Sequence, residues 1–314
     1  MLNIYRVDHI GQVVSDLEPQ LKLLEGLFGF QRRLSWTNPE AGCCGVRLDV
    51  PGSWGHRWEV LAPMGEGSPL QAFMERQDGR PGLHHVAVEV PLLEAAVAEL
   101  RRRHIQPTVE VPGLWIEASL SPPEHGPGVL FRIKGNGAHA TCGDEPGVAT
   151  AERPSRPGGK TLGIVAIDHV CQAFPNRDEL AQWYRELAGF VQVWRTPADE
   201  HPDMADLVMN VPGSTICWEV IMPRGADSFI ERFLSRSGPA AHHVTFEVAD
   251  WDRAMDACRA HEIPTFGDNS GTTDGARWQD VFIHPRYTGG ILVQLFWEER
   301  PGVWVRSDKI APEL

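Results

Sequence analysis

Several features that define other protein classes are scarce or absent in this sequence. Its six cysteines include no Cys-x-x-Cys pair, so we expect free thiols and a reducing, cytoplasmic location. The N-terminus lacks the basic and apolar regions of a signal peptide, and no apolar run approaches the ~20 residues of a membrane span. Acidic residues outnumber basic ones by 42 to 29, a formal net charge of −13. This balance argues against nucleic acid as a partner, and no membrane partner is predicted.

Histidine, in contrast, is plentiful, with 13 residues, and it recurs inside an internal repeat. VDHIGQVV (7–14) resembles IDHVCQAF (167–174). The stretch that ends in HHVAVEV (84–90) resembles the one that ends in HHVTFEV (242–248). Each matched histidine or glutamate of the first copy is separated from its counterpart in the second copy by nearly the same number of residues. The chain is therefore predicted to contain two copies of one domain.

The copies are separated by a segment rich in Gly, Pro and polar residues, which has no apolar period and is typical of a linker. Each copy is itself duplicated, because a short histidine-bearing strand leads twice into an amphipathic helix and then into further strands. We predict an α+β fold of four βαβββ modules. The predicted boundaries are a first domain at 1–135, a linker at 136–162, a second domain at 163–300 and a tail at 301–314.

Strand alternation separates the side chains of HHVTFEV onto two faces. Val244, Phe246 and Val248 share one face and are expected to pack against the helices. His243 points the other way, toward a cleft. The neighbouring His242 is then expected to face the helical side, where it would cap or orient the entry to the strand.

The same reasoning predicts four metal ligands in the second copy, each near the middle of a strand and facing away from the helices: His169, Glu219, His243 and Gln294. They converge if the two βαβββ halves pair around a pseudo-twofold axis and curl. Two imidazoles and two oxygen donors suit Co²⁺, Mn²⁺, Ni²⁺, Fe²⁺ or Zn²⁺. The second copy is therefore predicted to bind a divalent metal ion, with positions left open for water or substrate.

The first copy keeps His9, Glu59 and His85 at the matching positions but carries Arg132 where Gln294 stands. A permanent cation at this position would repel a metal dication and could instead pair with Glu59. The first copy is thus predicted to be a degenerate scaffold, with metal binding as the less favoured alternative.

The modules resemble the vicinal oxygen chelate superfamily, and the resemblance rests on the short motifs DHI or DHV, WEV, HHV and GGILVQL. This superfamily includes glyoxalase I, extradiol dioxygenases and bleomycin-resistance proteins. WEVLAP (58–63), GLHH (82–85) and HPRYTGGILVQL (284–295) are most similar to the pattern of methylmalonyl-CoA epimerases. The resemblance extends over nearly the whole chain except the linker and the tail, and it implies two vicinal-oxygen-chelate domains with curved mixed sheets.

Carried over residue by residue, the family's metal positions fall on the four predicted ligands. Epimerases commonly have glutamine where Glu219 stands and glutamate where Gln294 stands, so the order is exchanged here. The resemblance implies a metal-dependent epimerase, isomerase or lyase, in which a small anionic carboxylate or acyl thioester chelates the ion through two oxygens and an enolate is stabilised. Glu219 is the candidate catalytic base, either as a ligand or as one that dissociates. A homodimer is left open.

Further residues and functions remain as alternatives. Asp203 and Asp206 are second choices for the base, and Arg286 is either a contact for an anionic substrate or a solvated loop residue. The second function is a non-haem Fe(II) dioxygenase of the extradiol or 2-oxo-acid type, whose carboxylate comes from the final strand, where this chain has Gln294. The third is a resistance-type protein that binds its ligand without a metal.

Overall fold

The computed structural model of the chain consists of two mixed sheets with helices between and around them. The residues described are 1–52, 55–65, 67–111, 115–126, 128–135, 148–151, 160–196, 202–273 and 275–300. The predicted tail lies outside them, as does most of the predicted linker, so the predicted domain boundaries stay predictions.

The first sheet contains nine strands: β1 (Arg6–Val13), β2 (Gln31–Asn38), β3 (Cys43–Asp49), β4 (Arg57–Pro63), β5 (Gly82–Val90), β6 (Val109–Val111), β7 (Trp115–Leu120), β8 (Val129–Gly135) and β9 (Val148–Ala151). Its helices are α1 (Leu17–Leu23), which continues as a π-helical turn (Leu24–Phe28), α2 (Pro69–Glu75) and α3 (Leu93–Arg102). The strand β9 pairs with β2. Part of the segment that composition predicts as linker therefore adds an edge strand to the first sheet.

The second sheet contains eight strands: β10 (Ile164–Ala173), β11 (Val191–Arg195), β12 (Met204–Asn210), β13 (Cys217–Pro223), β14 (Ala240–Val248), β15 (Thr265–Thr273), β16 (Ala276–Ile283) and β17 (Leu292–Glu298). Its helices are α4 (Arg177–Ala188), α5 (Phe229–Ser237) and α6 (Trp251–Ala260). A short 3₁₀ turn (Pro285–Tyr287) precedes β17.

Each sheet is built from two βαβββ units. The first and last strands of a unit pair in parallel, as β1 does with β4, β5 with β8, β10 with β13 and β14 with β17. The two units of a sheet meet at an antiparallel pair, β1 with β5 and β10 with β14. The strand orders are β6-β7-β8-β5-β1-β4-β3-β2-β9 and β11-β12-β13-β10-β14-β17-β16-β15. The predicted α+β fold of four βαβββ modules is confirmed.

Local sequence signals set the helix ends. Asp16, Asn176 and Asp250 each accept a hydrogen bond from a backbone N–H in the first turn of α1, α4 and α6, respectively. Gly29 and Gly189 follow the π-helical turn and α4 with φ of 76° and 75°, a left-handed conformation that glycine adopts without steric cost. The helices therefore end where the chain must turn into the next strand.

A hydrophobic core lies between the two sheets and is shared by both domains. Phe246 of β14 is 1% exposed. Its ring centroid lies 5.6 Å from that of Phe28, 5.8 Å from that of Phe30 and 5.8 Å from that of Trp58, all in the first domain. Phe246 thus occupies the helical side of β14, as strand alternation predicts, and it joins the two domains.

Buried amides also connect the domains. Gln12 of β1 accepts hydrogen bonds through Oε1 from Trp58 Nε1 and Gln20 Nε2, at 3.0 Å each. Its Nε2 donates to the backbone carbonyls of Thr288 and Gly289, at 2.8 Å each. These two carbonyls lie just before β17, so one buried side chain of the first domain anchors the loop that leads into the last strand of the second.

Two expectations about the chain as a whole can be compared with the described residues. The five cysteines of the described residues, at positions 43, 44, 171, 217 and 258, are not joined by disulfide bonds. None of the helices in the described ranges has the length and apolar character needed to cross a membrane.

Candidate metal centre

Four adjacent strands carry the four predicted ligands of the second domain. His169 is on β10, Glu219 on β13, His243 on β14 and Gln294 on β17. In the ladder, Cys171 of β10 pairs with both Glu219 and His243. The four side chains project from one face of the sheet, which we call the site face, opposite the helical side.

Three of the predicted ligands are in mutual contact. Glu219 Oε2 lies 3.4 Å from His169 Nε2 and 3.3 Å from His243 Nε2. The two Nε2 atoms are 3.4 Å apart. All three side chains are buried, and one donor atom from each lies within 4.8 Å of the others. The structure therefore brings His169, Glu219 and His243 together, and their role as metal ligands stays a prediction.

The fourth predicted ligand joins this cluster through a residue that the sequence reasoning missed. Thr245 of β14 stands opposite both His169 and Gln294 in the ladder. Its hydroxyl donates to Gln294 Oε1 at 2.7 Å, and its Oγ1 lies 2.8 Å from His169 Nε2. Strand alternation could have identified Thr245, because it shares the face of His243.

Each histidine is oriented by a second contact on its other ring nitrogen. His169 Nδ1 lies 2.7 Å from Asp168 Oδ2, and His243 Nδ1 lies 2.9 Å from His242 Nδ1. Such contacts set the tautomer and direct Nε2 toward a common point. Asp168 immediately precedes His169 in sequence, so the DH word places the orienting carboxylate beside the imidazole.

The prediction that His242 faces the helical side is wrong. A register shift pairs Cys171 with His243 and Gln172 with Ala241, so His242 is an extra residue at a bulge. Its ring packs 4.9 Å from that of Phe233 in α5. Ile230 and Phe233 of that helix pack in turn against Cys171 on the site face. Strict alternation fails here because the bulge turns His242 toward α5.

Charges within the cluster shift its protonation equilibria. Burial opposes the charging of His169, but the Glu219 carboxylate and the hydrogen bond to Asp168 outweigh it and raise the pKa of His169 to about 10. Burial likewise opposes ionisation of Glu219, but the two histidines hold its pKa well below the ordinary value. Burial lowers the pKa of His243. Without an ion, the cluster is therefore held together by an imidazolium–carboxylate pair.

The alternative bases Asp206 and Asp203, and the candidate substrate contact Arg286, differ in how far they are buried. Asp206 of β12 is buried, and its burial together with the charge of Glu219 raises the pKa of its carboxyl to about 8. Asp203 is exposed just before β12. Arg286 is exposed, and its guanidinium carbon lies 4.5 Å from the centroid of the Tyr287 ring. Asp206 thus interacts with Glu219, whereas Asp203 lies at the surface.

The residues present fit a divalent metal ion. Glu219 Oε2 is buried and accepts no hydrogen bond. Within the part of the chain that the structure describes, Glu219 forms ion pairs with the two histidines and with no arginine or lysine. An ionised, buried carboxylate oxygen normally has a partner, and two imidazole nitrogens aimed at the same point complete a donor set that such ions accept.

The corresponding cluster in the first domain has a different environment. His9, Glu59 and His85 also lie within 4.8 Å of one another. Arg132 Nη1 is 3.6 Å from Glu59 Oε2, the ion pair that the sequence predicts. Arg47 of β3 lies still closer to Glu59, with its Nε 2.9 Å from Oε1. Arg47 was not identified from the sequence, because it lies outside the motifs that the two copies share.

The model of the Glyoxalase/Bleomycin resistance protein/Dioxygenase superfamily matches the chain twice, over residues 8–113 and 168–281. The two matches fall one in each copy of the internal repeat. The resemblance to vicinal-oxygen-chelate proteins, and the arrangement of two such domains in tandem, are therefore confirmed.

Parts of the chain are similar to epimerases. It is 29% identical over 104 residues to the mitochondrial methylmalonyl-CoA epimerase of Homo sapiens, which covers 33% of this chain and 57% of that protein. It is 29% identical over 131 residues to the Mus musculus protein, covering 41% and 71%. It is 30% identical over 98 residues to the ethylmalonyl-CoA/methylmalonyl-CoA epimerase of Cereibacter sphaeroides, covering 31% and 70%. The chain thus spans little more than half the length of the human relative.

Over nearly its full length, the chain is similar in structure to a mutant of 4-hydroxymandelate synthase from Streptomyces coelicolor. The TM-score is 0.71 at 13% identity, and the match covers 95% of this chain and 93% of that one. At this identity the likeness concerns the fold, two domains in tandem. The two family matches, one on each domain, carry the assignment: the chain belongs to the Glyoxalase/Bleomycin resistance protein/Dioxygenase superfamily.

Proposed function

We propose that the second domain binds a divalent metal ion and that the protein is a metal-dependent epimerase, isomerase or lyase. The observation that carries this proposal is Glu219 Oε2, a buried carboxylate oxygen that accepts no hydrogen bond and lies 3.4 Å from His169 Nε2 and 3.3 Å from His243 Nε2. In the ion-free protein the imidazolium of His169 balances the charge of this carboxylate. A divalent ion held by the carboxylate and two neutral imidazoles would take over that role.

His169, Glu219, His243 and Gln294 would hold the ion, and Co²⁺, Mn²⁺, Ni²⁺, Fe²⁺ or Zn²⁺ would suit this donor set. Such an ion supplies Lewis-acid polarisation of a carbonyl oxygen next to an acidic carbon–hydrogen bond. The protein's own contribution is orientation. Thr245 directs the Gln294 amide oxygen into the site, and Asp168 and His242 direct the two imidazoles.

Glu219 and Asp206, two of the carboxyl groups on the site face, suit opposite proton-transfer roles. Glu219 is ionised at neutral pH because its pKa is held well below the ordinary value, so its carboxylate can accept a proton from a carbon acid. Asp206, with a pKa of about 8, carries a proton at neutral pH and can donate one. We assign Glu219 as the catalytic base and Asp206 as its proton-donating neighbour.

The proposed substrate is a small carboxylate or acyl thioester that presents two vicinal oxygens. Similarity to methylmalonyl-CoA epimerases supports an acyl-CoA substrate of this kind. The cytoplasmic location expected from the sequence, and the homodimer that the sequence leaves open, belong to the same proposal.

A non-haem Fe(II) oxygenase is the second candidate, and one observation favours it. His169, Glu219 and His243 form a group of two histidines and one carboxylate, the ligand set of such enzymes. Gln294 distinguishes the two candidates. If its amide oxygen ligates the ion, fewer positions stay open for both oxygen and substrate.

Metal analysis of the purified protein tests both candidates. We expect one ion per chain in the native protein and none in the His243→Ala variant. The matched control is His261→Ala. His261 lies at the end of α6 and contacts the Lys160 carbonyl, so the protein with this substitution should keep its ion. A native protein that neither contains nor takes up a divalent ion would rule out both and favour a protein that binds its ligand without a metal.

Two activity measurements then separate the candidates. An epimerase incubated with methylmalonyl-CoA in deuterated water should exchange the proton at the carbon between the two carbonyl groups, and Glu219→Gln should abolish the exchange. An oxygenase loaded with Fe(II) should instead consume oxygen in the presence of catechols or 2-oxo acids.

A further inference from the structure

The two domains carry matched clusters, and the strand registers define which residues correspond. Arg47 pairs with Glu59 in the ladder as Val208 pairs with Glu219. Arg132 pairs with Glu117 as Gln294 pairs with Phe282. The first domain thus has arginine at two positions where the second domain has valine and glutamine.

The donor atoms of the first domain keep an arrangement close to that of the second. His9 Nε2 lies 3.4 Å from Glu59 Oε2, the same distance as for the pair His169 and Glu219. His85 Nε2 lies 4.0 Å from Glu59 Oε2 and 3.0 Å from His9 Nε2. Asp8 contacts His9 Nδ1 at 2.8 Å, as Asp168 contacts His169. Two imidazoles and a carboxylate therefore meet here much as they do in the second domain.

Buried arginines supply the positive charge in this cluster. Glu59 is fully buried, Arg47 is 7% exposed and Arg132 is 6% exposed. Arg132 is fixed from two further sides, because its Nη2 lies 2.8 Å from Glu117 Oε1 and its guanidinium carbon lies 4.4 Å from the centroid of the Trp115 ring. Each guanidinium thus has an assigned carboxylate and cannot swing aside without leaving that carboxylate unpaired.

Charge counting shows what these arginines do. Two carboxylates, Glu59 and Glu117, face two guanidinium groups, and Asp8 beside His9 is paired with Lys134 and Arg57. These cations already balance the carboxylates when the histidines are neutral. The charge of an added dication would therefore be uncompensated, which is strongly unfavourable in a buried environment. In the second domain the Glu219 carboxylate has no such guanidinium partner among the described residues.

We propose that the first domain keeps the two imidazoles and the carboxylate of a divalent-metal site, and that Arg47 and Arg132 close this site by taking the place of the ion. The inference rests on the proposed metal site of the second domain as its reference. It has two consequences. The native first domain binds no ion. Replacing the two arginines with their counterparts from the second domain opens a site for Co²⁺ or Zn²⁺ that is formed by His9, Glu59 and His85.

The test uses the full chain with the second-domain site disabled by His243→Ala, and Co²⁺ as the probe. Binding is followed by equilibrium dialysis and by the visible absorption of the bound ion. In this background we expect no Co²⁺ bound. Adding Arg47→Val, Glu117→Phe and Arg132→Gln is expected to raise the stoichiometry from zero to one per chain. A further His85→Ala substitution is expected to return it to zero.

Several results would overturn the proposal. The first is one Co²⁺ bound by the His243→Ala protein with its arginines intact. The second is a folded variant with these three substitutions that takes up no ion, or that still binds its ion after His85→Ala is added. If that variant does not fold, His85→Ala in the otherwise native chain still decides, because the proposal requires unchanged metal content and any loss contradicts it. Native protein without metal, combined with uptake by the opened first domain, would refute the proposed function and leave this inference standing.

Discussion

Thr245 on β14 donates a 2.7 Å hydrogen bond from its hydroxyl to the amide oxygen of Gln294 on the adjacent strand β17. The hydroxyl oxygen of Thr245 also lies 2.8 Å from His169 Nε2. At the corresponding register, opposite His9, the first domain has Ala87. The domain proposed to bind metal therefore has a hydroxyl that orients a ligand, and the closed domain lacks it.

We expect Thr245→Val to weaken binding of Zn²⁺ or Co²⁺ by a factor of about 10 to 100, the range for the loss of a group that orients a ligand. Valine keeps the shape of threonine but leaves the Gln294 amide free to rotate. Competition with a chromophoric chelator measures the change. Thr245→Ser retains the hydroxyl and should stay close to native affinity. Equal affinity for the native and valine proteins would contradict the assigned role.

Metal affinity should depend steeply on pH. In the ion-free protein the pKa of His169 is raised to about 10, so Nε2 carries a proton at neutral pH and must release it before it can ligate. The apparent association constant should therefore rise by about tenfold per pH unit between pH 6 and 9, because one proton is released per ion bound. Chelator competition at several pH values measures the slope. An affinity that does not change over this range would contradict an imidazolium in the ion-free site.

The shared core predicts a large effect of one aromatic residue on stability. Phe246→Ala removes a ring that is 1% exposed and contacts Phe28, Phe30 and Trp58 across the domain boundary. We expect the free energy of unfolding to fall by about 3–5 kcal/mol, as for other fully buried phenylalanines. Urea unfolding monitored by circular dichroism measures it. Phe266, 46% exposed in the same domain, is the matched control, and its change to alanine should cost much less.

The buried amide of Gln12 provides a test of the contact between domains. Gln12→Leu would leave the carbonyls of Thr288 and Gly289 without their donor and Trp58 Nε1 without its acceptor. We expect a loss of about 1–3 kcal/mol in the free energy of unfolding for each buried group left unsatisfied.

Urea titration gives the value for Gln12→Leu. Gln71→Leu, at a half-buried position on α2 whose side-chain hydrogen bond to Glu75 is exposed, is the control and should change stability by no more than about 0.5 kcal/mol. A Gln12→Leu protein as stable as the control would show that these hydrogen bonds do not hold the loop before β17.

The sequence was most informative where side chains repeat. The offsets between histidine and glutamate in the two copies predicted the duplication, and strand alternation put His169, Glu219 and His243 on one face. These inferences succeed because a strand has a fixed period of two and because duplicated domains keep their core positions. Arg132 was identified as a partner of Glu59 for the same reason, since it stands where Gln294 does.

Inference from sequence failed where contacts cross strands or where alternation is interrupted. Arg47 lies beside Glu59 only because β3 pairs with β4 in one register. His242 turns toward α5 because a bulge adds one residue to β14 opposite β10. Neither register nor bulge has a signature within a single strand, because both depend on the pairing of strands that are distant in sequence.

By itself, then, the sequence determined the four βαβββ modules, their duplication and the residue types that line the site face, because these follow from periodicity and from the repetition of words. The sequence also identified Arg132 as one difference between the two clusters, but only the tertiary structure added Arg47 to it. In the folded protein Glu219 forms ion pairs with the two histidines, whereas Glu59 forms ion pairs with Arg47 and Arg132. The physical reason is that the charge balance of a buried site is set by side chains from several strands, and these meet only once the sheet has formed.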